Sequence, residues 1–365
     1  MRIAYVIPQL NFGGAQTMLV RLVKKINKEK FDIQLFVCGK RLNNTIEKEI
    51  KAAGIRCHFL NIDDEGHGFN RLKNKFVAYQ KFSRAMTAYD PDIVHDHLDN
   101  FYSFMYSILN HKKLVFTIHS WPDRLANKRM KTYLKILNAR KDINLVGVAN
   151  TVTDRAEQVL LANRDALSTI YNPIELENYF HKEQDKNTFD YIHIGRLTPI
   201  KNQNMLLHAF AIVKKECGNS RLIIAGDGEL RNKLETIAQE LNIIDSVSFL
   251  GNRADIPELL SQSDVFVLSS NSEACPVTVI EAMASSVAVV ATNVGAIAEQ
   301  IGSDKMLSEK EDTNALAANL ILIQKSESLR KEIVAMQNER VIEFDANLVA
   351  VQHEKLYEKV LSRKM

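Results

Sequence analysis

Ser269–Ser286, SSNSEACPVTVIEAMASS, is the stretch whose reading decides the fold. It follows an apolar run, Asp264–Leu268, with the character of a buried strand, and it turns through small polar residues before a helical period begins. Pro276 is expected at the first helical position, where the N–H it lacks would go unpaired anyway. On that reading the amides of Val277 and Thr278 stay free and aim back at the end of the sheet, which is a built-in phosphate site. Glu273 in the turn and Glu281 on the helix can then face one crevice.

Working outward, the same strand–turn–helix unit recurs along the whole chain. In the first half the runs Arg2–Ile7, Ile33–Cys38, Ile93–His95, Leu114–Ile118, Asn144–Val148 and Ser168–Tyr171 are apolar on both faces and read as buried strands. Helical periods lie between them at Ala15–Asn27, Thr45–Ala53, Leu72–Tyr89, Tyr102–Leu109, Arg124–Asn138 and Thr151–Leu161. A polar, proline-bearing segment, Tyr171–Asn187, breaks the rhythm and reads as a linker. A second series follows. Its strands are Phe189–Ile194, Leu222–Ala225, Val247–Leu250, Val265–Leu268 and Val287–Ala291. Its helices are Asn204–Lys215, Glu229–Asn242, Asp255–Ser261, Pro276–Ser285, Asn314–Gln324 and Glu327–Val341. An amphipathic segment, Leu348–Leu361, comes after the second sheet is complete. Such alternation means α/β architecture with two Rossmann-like, doubly wound parallel sheets, in domains 1–170 and 171–345. Ligands are expected in a cleft between the halves, at the C-terminal ends of the strands.

Composition agrees with this reading. The 365 residues suit two domains of roughly 150–200 each, and 46% hydrophobic with 25% charged residues suits a globular protein with a sizeable core. Cys38, Cys57, Cys217 and Cys275 stand far apart, match no metal-ligand spacing and read as free thiols of a reducing, cytoplasmic compartment. MRIAYVIPQL reads as a strand and not a signal peptide, and no apolar run reaches the ~20 residues of a membrane span. The net charge of +3 hides an asymmetry: residues 1–170 carry 27 Lys and Arg against 16 Asp and Glu, and the remainder 20 against 28. A basic first half suits an anionic surface or ligand, although solvated charges on two faces account for it equally well.

Several turns carry ligand-type residues. Gly13-Gly14, between the first strand and its helix, lets backbone approach a ligand with a helix dipole behind it, or is simply a tight turn. His95, Asp96 and His97 end one strand, but alternate strand residues point to opposite faces, so buried, hydrogen-bonded histidines are favoured over a metal set. His119, in the turn TIHSWP, is the better functional candidate. Leu72, Phe76, Tyr79, Phe82 and Met86 repeat at helical spacing among Arg71, Lys73, Lys75, Lys81 and Arg84, and a second basic run holds Arg124, Lys128, Arg129, Lys131, Lys135, Arg140 and Lys141. Such stripes are core with solvated charges, or they lie on an anionic bilayer. No nucleic-acid-binding module is present. In the second half Arg196 and Lys201 can clamp one diphosphate, the first by its planar fork and the second as a point charge. Gly226 and Gly228 form a generic turn, and Gly251 and Asn252 expose backbone with Arg253 free to reach a ligand. With the amides after Pro276 and the carboxylate of Glu281, these describe a nucleoside-diphosphate site.

At this point the chain resembles the retaining nucleotide-sugar glycosyltransferases of the GT-B fold, family 4 (glycosyl transferases group 1). The resemblance runs over essentially the whole length and rests on GGAQ at 13–16, DIVHDH at 92–97, TIHS at 117–120 and IYNPIE at 170–175, then GRLTPIKN at 195–202, GDGELR at 226–231, FLGNR at 249–253 and Glu273 with Glu281 around Pro276. It implies that Glu281 binds the ribose hydroxyls, Arg196 and Lys201 the diphosphate, and Val277 and Thr278 the phosphates through their amides. Arg253 and the backbone near Asn252 would meet the base. Glu273 would lie by the donor sugar, with Cys275 and Pro276 in the turn beside it. Gly14, with Gly13, would approach the β-phosphate or the acceptor, and His119 would sit near the sugar's 6-hydroxyl and the reaction centre. The catalytic set would be His119, Arg196, Lys201 and Glu273. Residues 346–365 would cross back onto the first domain.

The resemblance further implies retention of anomeric configuration and no metal or other cofactor. A UDP-sugar is the favoured donor, and the acceptor is a glycan or lipid-linked sugar of surface polysaccharide synthesis. The protein would be cytoplasmic, with peripheral contact at the inner face of the membrane. Ala274, Ser286 and Ala296 stand where the family often has glycine, and Ala274 and Cys275 put the sugar's identity in question. The alternatives are a UDP-sugar epimerase of the same fold and a non-catalytic partner subunit, but the epimerases lack the EACPVTVIEAMA arrangement and no charged ligand residue is missing.

Overall fold

The computed structural model describes residues 1–11, 13–62, 68–160, 162–181 and 187–363, with side chains of helix 68–89 from residue 73 onward. Phe12, Leu161, the side chains of Arg71 and Leu72, and part of the expected linker, 182–186, lie outside these. The chain forms two compact units, Met1–Pro173 with Ala346–Met365, and Ile174–Asp345.

In the first unit the strands are β1 Arg2–Ile7, β2 Asp32–Val37, β3 Arg56–Phe59, β4 Ile93–His97, β5 Lys113–Ile118, β6 Ile143–Gly147 and β7 Leu167–Thr169. They pair in parallel in the order β3-β2-β1-β4-β5-β6-β7. The crossovers are α1 Gly14–Lys25, α2 Thr45–Ala52, α3 Gly68–Tyr89, α4 Phe101–Asn110, α5 Lys128–Ala139 and α6 Asn150–Leu160. Strand order reverses between β1 and β4, so the Gly13-Gly14 turn and His97 stand on either side of the switch point, where open α/β sheets bind ligands. The helix expected over Arg124–Asn138 is interrupted. Pro122–Leu125 forms a 3₁₀ turn, and Asn127 starts α5 afresh by accepting from the Met130 amide at 2.9 Å. Strand β3 was not foreseen, because RCHF at the sheet edge is four residues long and its alternation of Arg56 and His58 with Cys57 and Phe59 is too short to stand out.

In the second unit the strands are β8 Phe189–Ile194, β9 Ser220–Ala225, β10 Val247–Gly251, β11 Val265–Leu268, β12 Ala288–Thr292 and β13 Leu307–Ser308. Their order is β10-β9-β8-β11-β12-β13, again parallel, with the switch between β8 and β11. The helices are α7 Gln203–Cys217, α8 Arg231–Glu240, α9 Ile256–Ser261, α10 Val277–Ala284, α11 Ile297–Ile301, α12 Thr313–Lys325 and α13 Glu327–Val341. The short elements α11 and β13 were missed, each holding too few residues to show a period.

The last helix, α14 Ala346–Ser362, packs in the first unit. Val349, His353, Leu356, Tyr357 and Val360 form a buried stripe at helical spacing. The apolar members join Ile3, Tyr5 and Ile7 of β1 and Leu19, Leu22 and Val23 of α1 in one core. The basic–aromatic stripe of α3 divides: Phe82 and Met86 are fully buried, whereas Phe76 is 62% and Val77 53% exposed.

Candidate active site

Two loops meet at the β8–β11 switch point of the second unit. The loop after β8 ends in Asn202, whose left-handed backbone (φ 47°) lets its side chain start α7 by accepting from the Met205 amide. The loop after β11 is tied to it. Ser269 Oγ donates to the Lys201 and Asn202 carbonyls at 3.0 and 3.1 Å, the Asn271 amide donates to the Ile200 carbonyl at 2.8 Å, and Asn202 Nδ2 donates to Asn271 Oδ1 at 3.0 Å. That frame brings Lys201 Nζ to 2.6 Å from Glu273 Oε1, which also accepts from Ser270 Oγ at 2.6 Å. Residues 72 apart in the chain thus form one partly buried ion pair.

The backbone of Glu273 is held from behind. Gly295 has φ +59°, and a Cβ there would stand 1.9 Å from the Glu273 carbonyl oxygen, so only glycine fits. The Ala296 amide donates to the Ala274 carbonyl, Thr292 Oγ1 to the Ser270 carbonyl, and buried Gln300 Nε2 to the Pro276 carbonyl. Neither Gly295 nor Gln300 was foreseen.

Pro276 departs from its expected place. With ψ 122° it is extended and serves as N-cap, so α10 starts at Val277 and ends at Ala284. A proline cannot cap through its side chain, so the amino end of α10 is open, with the Val279 amide turned to the Pro276 carbonyl at 3.2 Å. Thr278 Oγ1 is buried with no hydrogen-bond partner among the described residues. Glu281 lies one turn on, is 8% exposed, and accepts from the Tyr179 hydroxyl at 3.0 Å. Tyr179 belongs to the segment read as a linker, and nothing in its local sequence marks it as a partner of Glu281.

Arg196 is exposed on the loop after β8 and has no salt-bridge partner among the described residues. Its carbonyl accepts from Gln203 Nε2 at 2.9 Å. Arg253, expected to be free, is not: its guanidinium grips Asp255 through two bonds of 2.8 and 2.5 Å, an arrangement a planar fork favours two residues from a carboxylate. Asn252 is exposed beside it, and Ala274 and Cys275 are buried. Gly226 and Gly228 serve packing between loops. A Cβ on Gly226 (φ +138°) would meet the Gly195 carbonyl oxygen at 2.0 Å, and one on Gly228 the Leu197 oxygen at 2.5 Å. Beneath Gly195 lies His193, fully buried, with Nδ1 2.9 Å from the Val267 carbonyl. Burial, with Lys201 nearby, pulls its imidazole down to about 4.

In the first unit Gly13 caps α1 with φ 176°, extended backbone that any residue adopts, so its conformation does not demand glycine. Gln16 holds this turn by donating to Asn11 Oδ1 at 2.7 Å. Across the switch point the histidines form a stack. His95 and His97 have ring centroids 4.3 Å apart, and His97 lies 5.1 Å from His119 and 5.8 Å from Tyr5. His95 uses both nitrogens, Nδ1 to the Tyr357 hydroxyl and Nε2 to Thr117 Oγ1, each at 2.8 Å. Tyr357 in turn meets the Tyr5 hydroxyl at 2.5 Å. His97 Nδ1 is 2.8 Å from His119 Nε2. Asp96 faces the other way and accepts from the Asn100 amide and Ser103 Oγ. Burial holds His95 and His97 well below the usual imidazole range and pulls His119 down to about 3, so the stack is neutral. Among the described residues no group of three His, Cys, Asp or Glu could hold a metal ion, and no helix is long and apolar enough to cross a membrane.

Comparison with known proteins follows the same division. The family described as Glycosyltransferase Family 4 matches residues 12–178, and the family described as Glycosyl transferases group 1 matches residues 176–340. The N-acetyl-alpha-D-glucosaminyl L-malate synthase of Bacillus anthracis is 29% identical over 229 residues, 60% of this chain and 60% of that protein's length. A Campylobacter jejuni relative, N-acetylgalactosamine-N,N'-diacetylbacillosaminyl-diphospho-undecaprenol 4-alpha-N-acetylgalactosaminyltransferase, is 26% identical over 362 residues, 94% of this chain and 96% of that one. Among solved structures, Anabaena HepE in complex with UDP and glucose superimposes with a TM-score of 0.81 at 19% identity, covering 98% of this chain and 99% of that one. A glycosyltransferase from Rickettsia africae does so with a TM-score of 0.80 at 19% identity, covering 100% and 99%. With two parallel-sheet units and both families matched in tandem, the chain belongs to the family 4, group 1 glycosyltransferases and has the GT-B fold.

Proposed function

We propose that the protein transfers a sugar, with retention of configuration, from a nucleotide diphosphate donor to a glycan or lipid-linked acceptor in surface polysaccharide synthesis. The observation that carries this reading is the Lys201–Glu273 pair at the β8–β11 switch point, with Glu273 three residues before Pro276 at the open amino end of α10 and Glu281 one turn into that helix. A cation, unpaired helix amides and a buried carboxylate are what a diphosphate and a ribose diol require. Arg196 and Lys201 neutralise the diphosphate, Val277 and Thr278 donate to it, and Glu281, oriented by Tyr179, accepts from the ribose hydroxyls. Glu273 lies by the donor sugar, and we assign His119 and the Gly13-Gly14 turn to the acceptor side. UDP is the favoured nucleotide, since HepE was solved with UDP and glucose. Two cations at the diphosphate supply the charge that a metal would otherwise bring, so we assign no metal.

In this reading the acceptor oxygen attacks the anomeric carbon from the face the diphosphate leaves. The new C–O bond forms as the bond from the anomeric carbon to the phosphate oxygen breaks. The acceptor's proton passes to the departing phosphate oxygen, and Lys201 and Arg196 stabilise the charge that develops there. Peripheral membrane contact is part of the proposal. It is supported by exposed Phe76 and Val77 among the lysines of α3, by the basic first half, and by relatives whose names specify diphospho-undecaprenol acceptors.

A thermal-shift panel of nucleotide sugars tests the donor, because a ligand that binds only the folded state stabilises by about 2.7 kcal/mol at 100 times its Kd. UDP-sugars are expected to raise the melting temperature more than ADP- or GDP-sugars, and no shift with any of them would dispose of the donor site. Flotation with anionic vesicles at low salt tests the membrane contact, which fails if the protein stays at the bottom.

A further inference from the structure

His97 is fully buried, and its two nitrogens differ sharply. Nδ1 is 2.8 Å from His119 Nε2, with the two ring planes 26° apart, while Nε2 is buried with no hydrogen-bond partner among the described residues. The polar groups around Nε2 are turned to other partners. His95 has committed Nδ1 to Tyr357 and Nε2 to Thr117, Tyr5 has committed its hydroxyl to Tyr357, and His353 Nδ1 meets the Val349 carbonyl. One proton is therefore shared between two neutral imidazoles, and its position is decided by the cost of the alternative. If His119 Nε2 carried it, His97 would carry its own on Nε2 and bury an N–H with no acceptor. Orphaned buried N–H groups are rarer and costlier than an acceptor lone pair left unused. The proton then belongs on His97 Nδ1, and His119 Nε2 accepts.

We infer that His97 is a positioning residue that fixes His119 as the Nδ1–H tautomer, so that His119 offers a ligand oxygen a hydrogen-bond donor and no basic lone pair. The consequence for transfer rests on the reading of His119 given under Proposed function. There a neutral donor at the strand end orients a sugar hydroxyl or a phosphate oxygen, and it does not act as a general base. The low basicity of both rings, a result of burial, is consistent with a single shared proton. His97 of β4 faces His119 directly, and behind His97 the cluster continues through His95 of β4, Tyr5 of β1, and His353 and Tyr357 of α14.

The test joins a spectroscopic and a kinetic readout on the full chain. Long-range proton–nitrogen correlations of ¹⁵N-imidazole-labelled protein distinguish a protonated from an unprotonated ring nitrogen, and His119 is expected to show the proton on Nδ1. His97→Asn places an amide N–H where Nδ1 was and should keep that tautomer and most of kcat. His97→Leu removes the donor and should give mixed tautomers at His119. It should also lower kcat about 10-fold or more, with little change in donor KM, the size of effect known for residues that orient metal-ligating histidines. A proton on His119 Nε2 in the wild type overturns the inference, and so does a His97→Leu protein as active as His97→Asn. Because the spectrum needs no turnover, an inactive wild type showing the Nδ1 proton would refute the proposed transfer while supporting the tautomer.

Discussion

Glu281 and Lys201 should separate in a mutational test because they are asked to do different things. Glu281→Ala removes a buried acceptor that would hold a ribose diol in ground state and transition state alike. Nucleotide affinity is expected to weaken about 10- to 100-fold, the range of a hydrogen bond to a charged group, with kcat at saturation much less affected. Titration calorimetry with UDP checks this, and unchanged affinity would remove Glu281 from the ribose role. Lys201→Ala removes charge where negative charge would develop, so kcat is expected to fall about 100-fold or more. Wild-type turnover in that variant would end the diphosphate assignment. Glu273 keeps its Ser270 bond, and the Ala274 carbonyl keeps the Ala296 amide, in the variant, so the fold should survive.

The loop after β11 is an element-scale construction, shaped by what packs behind it. Gly295→Ala forces a Cβ against the Glu273 carbonyl in a left-handed backbone, a strain of about 1–3 kcal/mol. A lower melting temperature and reduced transfer should appear together, because the residue displaced is Glu273 itself. A Gly295→Ala protein that melts with the wild type would show that the loop is not held by this contact. The amino end of α10 makes the same point from the other side. Pro276 as N-cap supplies no acceptor of its own, so the first amides of the helix remain available to a ligand.

Over the whole molecule, neutral buried histidines make stability depend on pH. His193 and His353 are pulled down to about 4 and His119 to about 3, against about 6.5 in an unfolded chain. Above that unfolded value both states are neutral and these groups give no slope. As pH falls below it, the unfolded chain binds protons that the folded chain refuses, so stability drops by up to about 1.4 kcal/mol per pH unit for each histidine. The loss stops growing once the folded values are passed, near pH 3–4. Melting temperature should therefore fall between about pH 7 and about pH 5.5, before most carboxylates titrate. A flat profile over that window would mean that the stack is charged or exposed.

The sequence by itself determined the two doubly wound sheets, the order of almost all their elements and the residues that end the key strands. Those features are written locally, in apolar runs of strand length, in helical periods, and in charged residues at the turns between them. Arg196, Lys201, Glu273 and Glu281 were legible for that reason. Edge strand β3 was not, its alternation running over only four residues, and Pro276 was misplaced by one position because ψ is not written in a residue's identity. The tertiary structure decided which distant residues meet. It paired Lys201 with Glu273, brought Tyr179 out of an expected linker to Glu281, spent Arg253 on Asp255, set Gly295 behind Glu273, and stacked His97 on His119 with Tyr357 from the last helix completing the network. Most of these contacts join residues far apart along the chain, where no local period carries information. The sheet topology and the packing of the core bring them together.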